Sequence, residues 1–534
     1  MIEKFLKYNK IIQWIIKNRF EAILLAIILL FGAFFRLYRI DEYMTFLGDE
    51  GRDVIVVRRL LVNFDPILVG PGTSIGNMYL GPLYYYMMAP FLLLANFSPV
   101  GPAVMIALLG VVTIFFVWWV AREWFAANSN HGRLAAFIAA LFYAVSPVVI
   151  NYSKSSWNPN IMPFFSLLSV YSIWRVYRFN EMNWLIVLGI AFAFVLQSHY
   201  LGLLLIPTLI FYWLISFTRS VKSNVKTEKS KVSGFIKNSI IGSALFLTLM
   251  SPLVIFDARH DWRNFTAMKK FFLERQTTVS ARPWAAIPNV PEIFHEATTR
   301  LVAGTNEMTG TLVTLVFAIG ILWLSTRLYL IVVRQKKSIS KQNMAFILII
   351  MWLSTALIGL GAYKQEIYDH YYGFFFPAPF ILLGGLSQKI VETKKIFGGF
   401  IVLVIVSYLL IVNLQNNPLK FPPNRQLQRT VDVAKKISEE VNGKNFNLAV
   451  IAERNYEGAY QYFLEKWNEP IVMIDPQRAD DTITEQLFVV CELPPEKCDP
   501  THSDKAEIAN FGWSKVEGEW KVDGTTLYKL VHSL

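Results

Sequence analysis

Long apolar runs dominate this sequence and limit the folds that are open to it. A run of about 20 apolar residues can cross the hydrocarbon layer of a bilayer as a helix. Such runs lie near residues 20–38, 100–120, 134–150, 161–177, 184–200, 201–217, 238–256, 310–331, 344–362, 373–388 and 397–414. The pattern therefore predicts an all-α polytopic membrane protein with about 11 transmembrane helices.

The overall composition supports a membrane protein and argues against a nucleic-acid partner. Of the 534 residues, 54% are hydrophobic and only 17% are charged, whereas soluble domains carry about 25% charged residues. The formal net charge is +12. Because Lys and Arg cluster in short runs between the apolar stretches, we interpret this charge as a topology signal for the lipid bilayer.

The positions of the basic runs predict how the chain crosses the membrane. Basic segments should face the cytoplasm; they are the N-terminal tail with Lys4 and Lys7, loop 218–237, the loop around 334–341, and segment 389–395. They can do so together only if the short Tyr-rich run 82–97 does not cross. We interpret that run as an interfacial or re-entrant helix. The expected protein is then a multi-pass protein of the plasma (inner) membrane with a cytoplasmic N-terminus and four outer segments, 39–99, 151–160, 257–309 and 363–372.

A change in composition near residue 415 divides the chain into a membrane domain, 1–414, and a small extracytoplasmic α/β domain, 415–534. QLQRTVDVAKKISEEV has helical spacing, and NLAVIAE, EPIVMID and QLFVVCE are strand-like runs. GEWKVDGTTLYKLV is typical of a hairpin with an Asp-Gly turn. No catalytic motif is visible in this domain, so a lid or docking role is the simplest hypothesis. Cys491 and Cys498 could form a disulfide or stay as two free thiols.

Three acids stand together in the first predicted outer loop. Asp49 and Glu50 follow Gly48, and Asp53 comes four residues after Asp49. Asp49 is a suitable N-cap for the amphipathic run that follows, which is the structural interpretation. If the helix begins this early, Asp49 and Asp53 share one of its faces. Three acids directly after a membrane span also fit a functional site at the outer surface.

Other outer segments carry polar groups at the membrane boundary. The candidates for contact with a lipid phosphate are Arg259, His260, Arg263, Tyr368, His370 and Tyr371. Arginine suits phosphate oxygens, although Asp257 and Asp261 could simply neutralise the two arginines. An aromatic belt at the interface would equally explain the tyrosines. Asn158-Pro159 predicts a turn at the start of a membrane helix.

The ordered motifs resemble a known family. They are GDE in the first outer loop, then GPLYYYMMAP, SKSSWNPN, QSHYLGLLLIP, SPLVIFDARHDWRN and YDHYYGFFFPAPF. Over about residues 20–390, this set resembles the membrane glycosyltransferases of GT-C fold, in particular the bacterial branch of the protein O-mannosyltransferase and aminoarabinose transferase superfamily. The resemblance implies an inverting hexosyl- or pentosyltransferase. It would use a polyprenyl-phosphate sugar donor and an unknown hydroxyl acceptor.

The resemblance also implies roles for individual residues. Asp49 would be the general base, and Glu50 would position the acceptor or the base, while the Arg, His and Tyr candidates would hold the donor phosphate. The groups expected to position acceptor or donor are Asp53, Tyr84, Asn158 and Asn160. Some relatives carry a second acid where this chain has Asn158 and Asn160, so we expect no cofactor and no required divalent metal. The lysine that some relatives place before the PLYYY-like run is replaced by Gly81.

Functions of other classes fit the sequence less well than sugar transfer does. A transporter or flippase of lipid-linked sugars would place charged groups near the midplane of its spans, whereas these spans are nearly free of charge at their centres. A non-catalytic scaffold would leave the outer clusters unexplained. A polysaccharide ligase shares the lipid-linked donor and the topology. The sequence favours an enzyme without naming its sugar or its acceptor.

Overall fold

The computed structural model describes residues 10–73, 76, 78–125, 132–222, 226–273, 283–334, 338–364 and 366–533. Several segments used for the topology prediction lie outside these residues: 1–9 with Lys4 and Lys7, 223–225, 335–337, and 274–282 of the predicted outer segment 257–309. The predicted position of the N-terminus stays a prediction.

The membrane part consists of helices that follow one another along the chain. They are α1 (Lys10–Lys17), α2 (Arg19–Leu37), α3 (Ile40–Tyr43), α4 (Gly48–Asn63), α5 (Leu83–Leu94), α6 (Val100–Phe125), α7 (Gly132–Val145), α8 (Pro147–Tyr152), α9 (Met162–Phe179), α10 (Trp184–Ser198), α11 (Ile206–Lys222), α12 (Lys226–Arg259), α13 (Arg263–Leu273), α14 (Val290–Leu301), α15 (Glu307–Tyr329), α16 (Lys341–Gly361) and α17 (Pro377–Gln415). Short 3-10 helices cover Asn158–Ile161, Tyr200–Leu205, Pro283–Asn289 and Asp369–Phe375.

Within the described residues, seven helices are long and apolar enough to cross a membrane. They cover Arg19–Leu37, Val100–Phe125, Tyr200–Val221, Val232–Arg259, Glu307–Tyr329, Lys341–Gly361 and Pro377–Gln415. Helix α17 includes two of the predicted spans and leaves helical geometry at Lys395, where φ is 45°. The predicted spans 134–150 and 184–200 contain the shorter apolar helices α7 and α10. The polytopic helical architecture is thus confirmed, while the count of about 11 crossings stays a prediction.

Helix α5 corresponds to the run that was predicted not to cross. Its 12 residues span about 18 Å, which is well short of the roughly 30 Å of a hydrocarbon layer. Tyr84 and Tyr85 on this helix are buried, in a hydrophobic cluster that also includes residues of the first loop and of the C-terminal domain. These features agree with the interfacial or re-entrant interpretation.

The C-terminal domain is a four-stranded sheet with helices. Its helices are α18 (Gln426–Glu440), α19 (Gly458–Lys466), α20 (Ala479–Thr482) and α21 (Ala506–Phe511), and its strands are β1 (Asn447–Ile451), β2 (Gln486–Cys491), β3 (Ser514–Val522) and β4 (Thr525–His532). The strand order is β1-β2-β4-β3, with β1 and β2 parallel and the other pairs antiparallel. The predicted hairpin turns at Asp523-Gly524, and Cys491 and Cys498 form a disulfide.

One predicted strand of this domain is wrong. The run EPIVMID forms only an isolated bridge between Ile471 and Phe446. Pro470 has no N–H to donate, and the run ends at Asp475, directly before a 3-10 turn, Pro476–Arg478. The apolar side chains of this run therefore pack without continuing a ladder.

The C-terminal domain packs directly on α4, and glycines make the close approach possible. A Cβ atom on Gly51 would lie 2.2 Å from the backbone N of Ala459, and one on Gly458 would lie 2.5 Å from the carbonyl O of Gly48. One hydrophobic cluster includes Phe46 before α4 and Phe463 on α19. The acidic loop and the C-terminal domain therefore share a core.

Candidate active site

Helix α4 presents its acids differently from the prediction. Leu47, and not Asp49, is the N-cap residue, and Asp49 lies inside the first helical turn. The carboxylate of Glu50 reaches back to accept from the N–H of Leu47 at 3.0 Å, which satisfies an amide at the helix start. The predicted N-cap role of Asp49 is therefore wrong. Its side chain stays 43% exposed, whereas Glu50 is only 6% exposed, and this burial raises the pKa of Glu50 to about 7.

Asp49 and Glu50 line a cavity of about 780 Å³. Three parts of the chain form its walls, namely the first loop at 43–50, the ends of membrane helices at 147–160, 300–305 and 369, and C-terminal residues at 416–424 and 454–456. Besides the two acids, the polar side chains that line it include Asn160, Arg300, Asp369, Arg454 and Tyr456. Acids and cations thus lie together at one end of the helical bundle, but these cations are not the arginines expected from the sequence.

Asp49 is held by two donors on the same oxygen. Its Oδ1 accepts from Arg52 Nη1 at 2.9 Å and from the hydroxyl of Tyr456 at 2.8 Å. Arg52 also donates from Nε and Nη2 to Asp53 Oδ1, at 3.0 and 2.8 Å. Asp49 and Asp53 thus share a helix face, as their spacing predicts, and Arg52 bridges them.

Asp53 and Tyr84, predicted to position acceptor or donor, are buried beneath the cavity and do not line it. Asp53 is fully buried, and its Oδ1 also accepts from the hydroxyl of Tyr85 at 2.8 Å. Burial raises the pKa of Asp53 to about 6, although Arg52 opposes this effect. The Tyr84 hydroxyl bonds to Ser156 Oγ at 2.7 Å. In this structure Asp53 orients Arg52 instead of facing a substrate.

The cations that face the cavity are Arg300 and Arg454. Arg300, on α14, donates from Nε to Asp369 Oδ1 at 2.7 Å and from Nη2 to Asp369 Oδ2. This hydrogen bonding raises the pKa of Arg300. Arg454 is exposed and forms no ion pair with any residue that the structure describes. Three of the five N–H donors of Arg300 stay available, so both arginines can take an anion.

An aromatic and histidine cluster packs against Trp157, but Tyr368, His370 and Tyr371 do not line the cavity themselves. His370 lies with its ring centroid 4.6 Å from Trp157 and 4.5 Å from Tyr371, and Tyr368 stacks on it at 5.8 Å. Burial lowers the pKa of His370 to about 3, and the neighbouring His199 adds to this effect. His370 is therefore neutral at physiological pH and cannot hold a phosphate by its charge.

Arg259, His260 and Arg263 lie away from the cavity. All three are exposed where α12 ends and α13 begins, and none lines the cavity. His260 Nδ1 lies 2.7 Å from the carbonyl O of Phe256. Asp257 accepts from the backbone N–H groups of residues 264 and 265 at 2.7 and 2.9 Å, so it caps α13 instead of neutralising the arginines.

The two asparagines have separate environments. Asn158 is buried and donates to the carbonyl O of Ser198 at 2.7 Å, within the 3-10 turn that the Asn-Pro pair predicts. Asn160 lines the cavity and donates to the carbonyl O of Ser155 at 2.8 Å. In the described part of the chain, no three of His, Cys, Asp and Glu are grouped as metal ligands. The donor set does not fit a resident divalent ion, and metal independence stays a prediction.

Three site residues escaped the sequence reasoning: Arg300, Arg454 and Tyr456. A signal for Arg300 exists, because it ends the amphipathic segment VPEIFHEATTRL just before a membrane span. The other two stand in the loop after β1, and loops at the carboxyl ends of parallel strands commonly carry binding residues. Neither signal shows that these three residues lie close to the first outer loop in the folded protein.

Comparisons with known proteins agree with this architecture. The profile of the family described as dolichyl-phosphate-mannose-protein mannosyltransferase matches residues 80–256, about one third of the chain. No curated protein matches the sequence significantly. The crystal structure of ArnT from Cupriavidus metallidurans bound to undecaprenyl phosphate superposes with a TM-score of 0.59 at 13% identity, over 95% of this chain and 97% of ArnT.

Two further structures show the same fold. The apo state of that ArnT gives a TM-score of 0.57 at 12% identity, over 96% of this chain and 98% of ArnT. The archaeal oligosaccharyltransferase AglB from Archaeoglobus fulgidus, in complex with an inhibitory peptide and a dolichol-phosphate, gives 0.52 at 14% identity, over 89% of this chain and 70% of AglB. The chain therefore has the GT-C fold of membrane glycosyltransferases.

Proposed function

We propose that this GT-C chain transfers a sugar from a polyprenyl-phosphate donor to a hydroxyl acceptor at the extracytoplasmic face of the plasma membrane. Asp49 would be the general base, and the anomeric configuration would be inverted. The observation that carries the proposal is the position of Asp49. Its partly exposed carboxylate faces a cavity of about 780 Å³ whose other walls present Arg300 and Arg454.

The chemistry requires a base on one side of the sugar and cations on the other. The acceptor oxygen forms a bond to the anomeric carbon while the bond from that carbon to the donor phosphate breaks. Asp49 takes the proton of the acceptor hydroxyl, a contribution of roughly 10²–10⁴-fold in rate. The polyprenyl phosphate leaves as an anion, so no strong acid is needed. A single displacement of this kind inverts the anomeric centre.

The leaving phosphate needs donors placed where its charge develops. Arg300 and Arg454 are the candidates, because both line the cavity and both have free N–H groups. The pair with Asp369 fixes the guanidinium of Arg300 in one orientation, which suits planar recognition of a phosphate. The position of Arg259, His260 and Arg263 outside the cavity lining argues against the phosphate role expected for them.

Two observations support the donor class and the side of the membrane. The structural neighbours were solved with undecaprenyl phosphate and with a dolichol-phosphate, both of which are polyprenyl phosphates like the proposed donor. The disulfide between Cys491 and Cys498 is expected of a domain outside the reducing cytoplasm. An extracytoplasmic C-terminal domain would place the cavity on the outer side as well.

The first test is incubation of the purified protein with polyprenyl-phosphate sugars and acceptor extracts, with release of polyprenyl phosphate as the readout. We expect Asp49→Asn to lower turnover by about 100-fold or more while the unfolding temperature in detergent stays near that of the wild type. Asp65→Asn is the matched control, because Asp65 is an exposed acid just beyond α4. Near-normal turnover in Asp49→Asn would exclude Asp49 as the base, and a wild-type protein inactive with every lipid-linked sugar would overturn the function.

The second test separates the two sets of arginines. We expect Arg300→Gln to raise the KM for the lipid donor by about tenfold or more, since a hydrogen bond to a charged group contributes about 1.5–3 kcal/mol. Arg259→Gln, a change of the same type at an exposed site outside the cavity, should leave KM unchanged. The opposite outcome would place the phosphate site at residues 259–263.

A further inference from the structure

Tyr456 belongs to the C-terminal domain, yet its side chain lines the cavity beside Asp49. Strand β1 ends at Ile451, and helix α19 begins at Gly458. The short connection between them carries Tyr456 to the first turn of α4. A residue about 400 positions away from the proposed base in sequence is thus in direct contact with it.

Three hydrogen bonds join this connection to the first turns of α4. The Tyr456 hydroxyl donates to Asp49 Oδ1 at 2.8 Å and accepts from Arg52 Nη1 at 3.3 Å. Asn455 Oδ1 accepts from the backbone N–H of Gly48 at 2.8 Å. The amide of Asn455 is held in turn, because its Nδ2 donates to Glu492 at 2.6 Å.

The tight approach depends on Gly48. A Cβ atom on Gly48 would lie 2.4 Å from the ring of Tyr456, so another residue there would displace the ring. The absence of a side chain at Gly48 is therefore what admits the tyrosine to the active site. This gives the glycine of the GDE motif a physical role.

The hydrogen bonds leave the two oxygens of Asp49 in different situations. Oδ1 accepts from both Arg52 and Tyr456, whereas Oδ2 has no hydrogen-bond partner within the described part of the protein. Arg52 is itself anchored to the buried Asp53. With Oδ1 fixed, Oδ2 is the oxygen that is free to accept a proton from a substrate.

We propose that Tyr456 is a positioning residue for sugar transfer, through which the C-terminal domain orients the Asp49 carboxylate toward the acceptor hydroxyl. This inference rests on the proposed function. Orientation of a catalytic group to within a fraction of an ångström accounts for large rate factors, since a displacement of about 1 Å can cost about 10²-fold. The C-terminal domain is then part of the active site and not only a cover for it.

The hydroxyl of Tyr456 keeps its proton under working conditions. Burial raises the pKa of Tyr456 well above its ordinary value, and the neighbouring Asp49 acts in the same direction. The hydroxyl therefore donates to the carboxylate at any pH at which an enzyme of this kind would operate.

Tyr456→Phe keeps the ring and removes only the hydroxyl. We expect kcat to fall by about 10-fold to 100-fold while the KM for the lipid donor stays unchanged. Tyr462→Phe is the control, because the Tyr462 hydroxyl donates to the carbonyl O of Phe97 at 2.6 Å and Tyr462 does not line the cavity.

A double-mutant cycle of Tyr456→Phe with Asp49→Ala, measured by thermal unfolding, tests the contact between Tyr456 and Asp49 without an activity assay. We expect the two substitutions to be non-additive in their effect on the unfolding temperature. If Tyr456→Phe keeps the wild-type kcat while Asp49→Asn is inactive, the positioning role is refuted and the proposed function stands. If the wild type transfers no sugar, the proposed function fails, and additive effects in the cycle would then overturn the contact as well.

Discussion

Lys154 lies behind the cavity wall with a buried and unpaired ammonium group. Its side chain is only 1% exposed, and Nζ has no hydrogen-bond partner within the described residues. The ammonium lies 4.5 Å from the ring centroid of Tyr43, and the nearest charge that acts on it is the cation Arg36. A buried charge without a counter-ion destabilises a fold. We therefore predict that Lys154→Met stabilises the protein at neutral pH.

The size of the effect follows from the pKa. Burial, with a smaller contribution from Arg36, lowers the pKa of Lys154 from 10.5 to about 8. This change corresponds to about 3 kcal/mol, at about 1.4 kcal/mol per pH unit. The cation–π contact with the Tyr43 ring stabilises the charged Lys154 by about 1 kcal/mol. Since methionine has a similar shape and no charge, we expect a net gain of about 2 kcal/mol.

The lowered pKa of Lys154 also predicts how the stability of the wild type changes with pH. Below pH 8 the folded and unfolded chains both carry the proton on Lys154, so the full penalty is present. Between pH 8 and 10.5 the unfolded chain holds the proton while the folded chain has lost it, so the stability of the wild type rises with pH. The difference between wild type and Lys154→Met should thus be largest near pH 7 and should close toward pH 10.

The assay is thermal unfolding in detergent from pH 6.5 to 10. Lys420→Met is the control, because Lys420 is exposed in the connection to the C-terminal domain, and we expect no change in its unfolding temperature. A Lys154→Met variant that is less stable than the wild type at pH 7 would refute the reasoning. A stability difference that does not vary with pH would also refute it.

Two further changes test the acidic helix and its contact with the C-terminal domain. Gly51→Ala should destabilise the protein by about 2 kcal/mol or more and expose the C-terminal domain to limited proteolysis, because the new Cβ would lie 2.2 Å from Ala459 N. Gly399→Ala, with nothing within 4 Å of the new atom, should show neither effect. Burial raises the pKa of Glu50 from 4.5 to about 7, so the folded chain holds a proton that the unfolded chain loses between these values, and stability falls as pH rises. Glu50→Gln should therefore have a higher free energy of unfolding than the wild type at pH 8, by up to about 3 kcal/mol, and the same free energy of unfolding near pH 4. An equal difference at both pH values would contradict this.

The elements of the membrane part could be read from the sequence because they depend on local physics. A helix in lipid satisfies its own backbone groups, so each long apolar run indicates a helix wherever it packs. The turn at Asn158-Pro159 also depends on residues close in sequence. The strand predicted at 469–475 was wrong because Pro470 cannot donate to a ladder, and only an isolated bridge between Ile471 and Phe446 forms.

Only some of the residues that line the cavity could be predicted from the sequence. Asp49 and Glu50 were found because both acids stand together after a membrane span. Arg300 and Tyr456 were missed because their roles depend on contacts across the fold. The segment around Arg259 has the composition of a phosphate site, yet the structure places it outside the cavity.

The sequence by itself determined that this chain is a helical membrane protein with a separate α/β end and a pair of acids after its first span. Spacing and hydropathy carry that information, since both act over a few helical turns. Only the tertiary structure decided which cations and which hydroxyl face Asp49. Glycine contacts at Gly51 and Gly458 bring the C-terminal domain onto α4, and such contacts between distant segments leave no periodic trace in the chain.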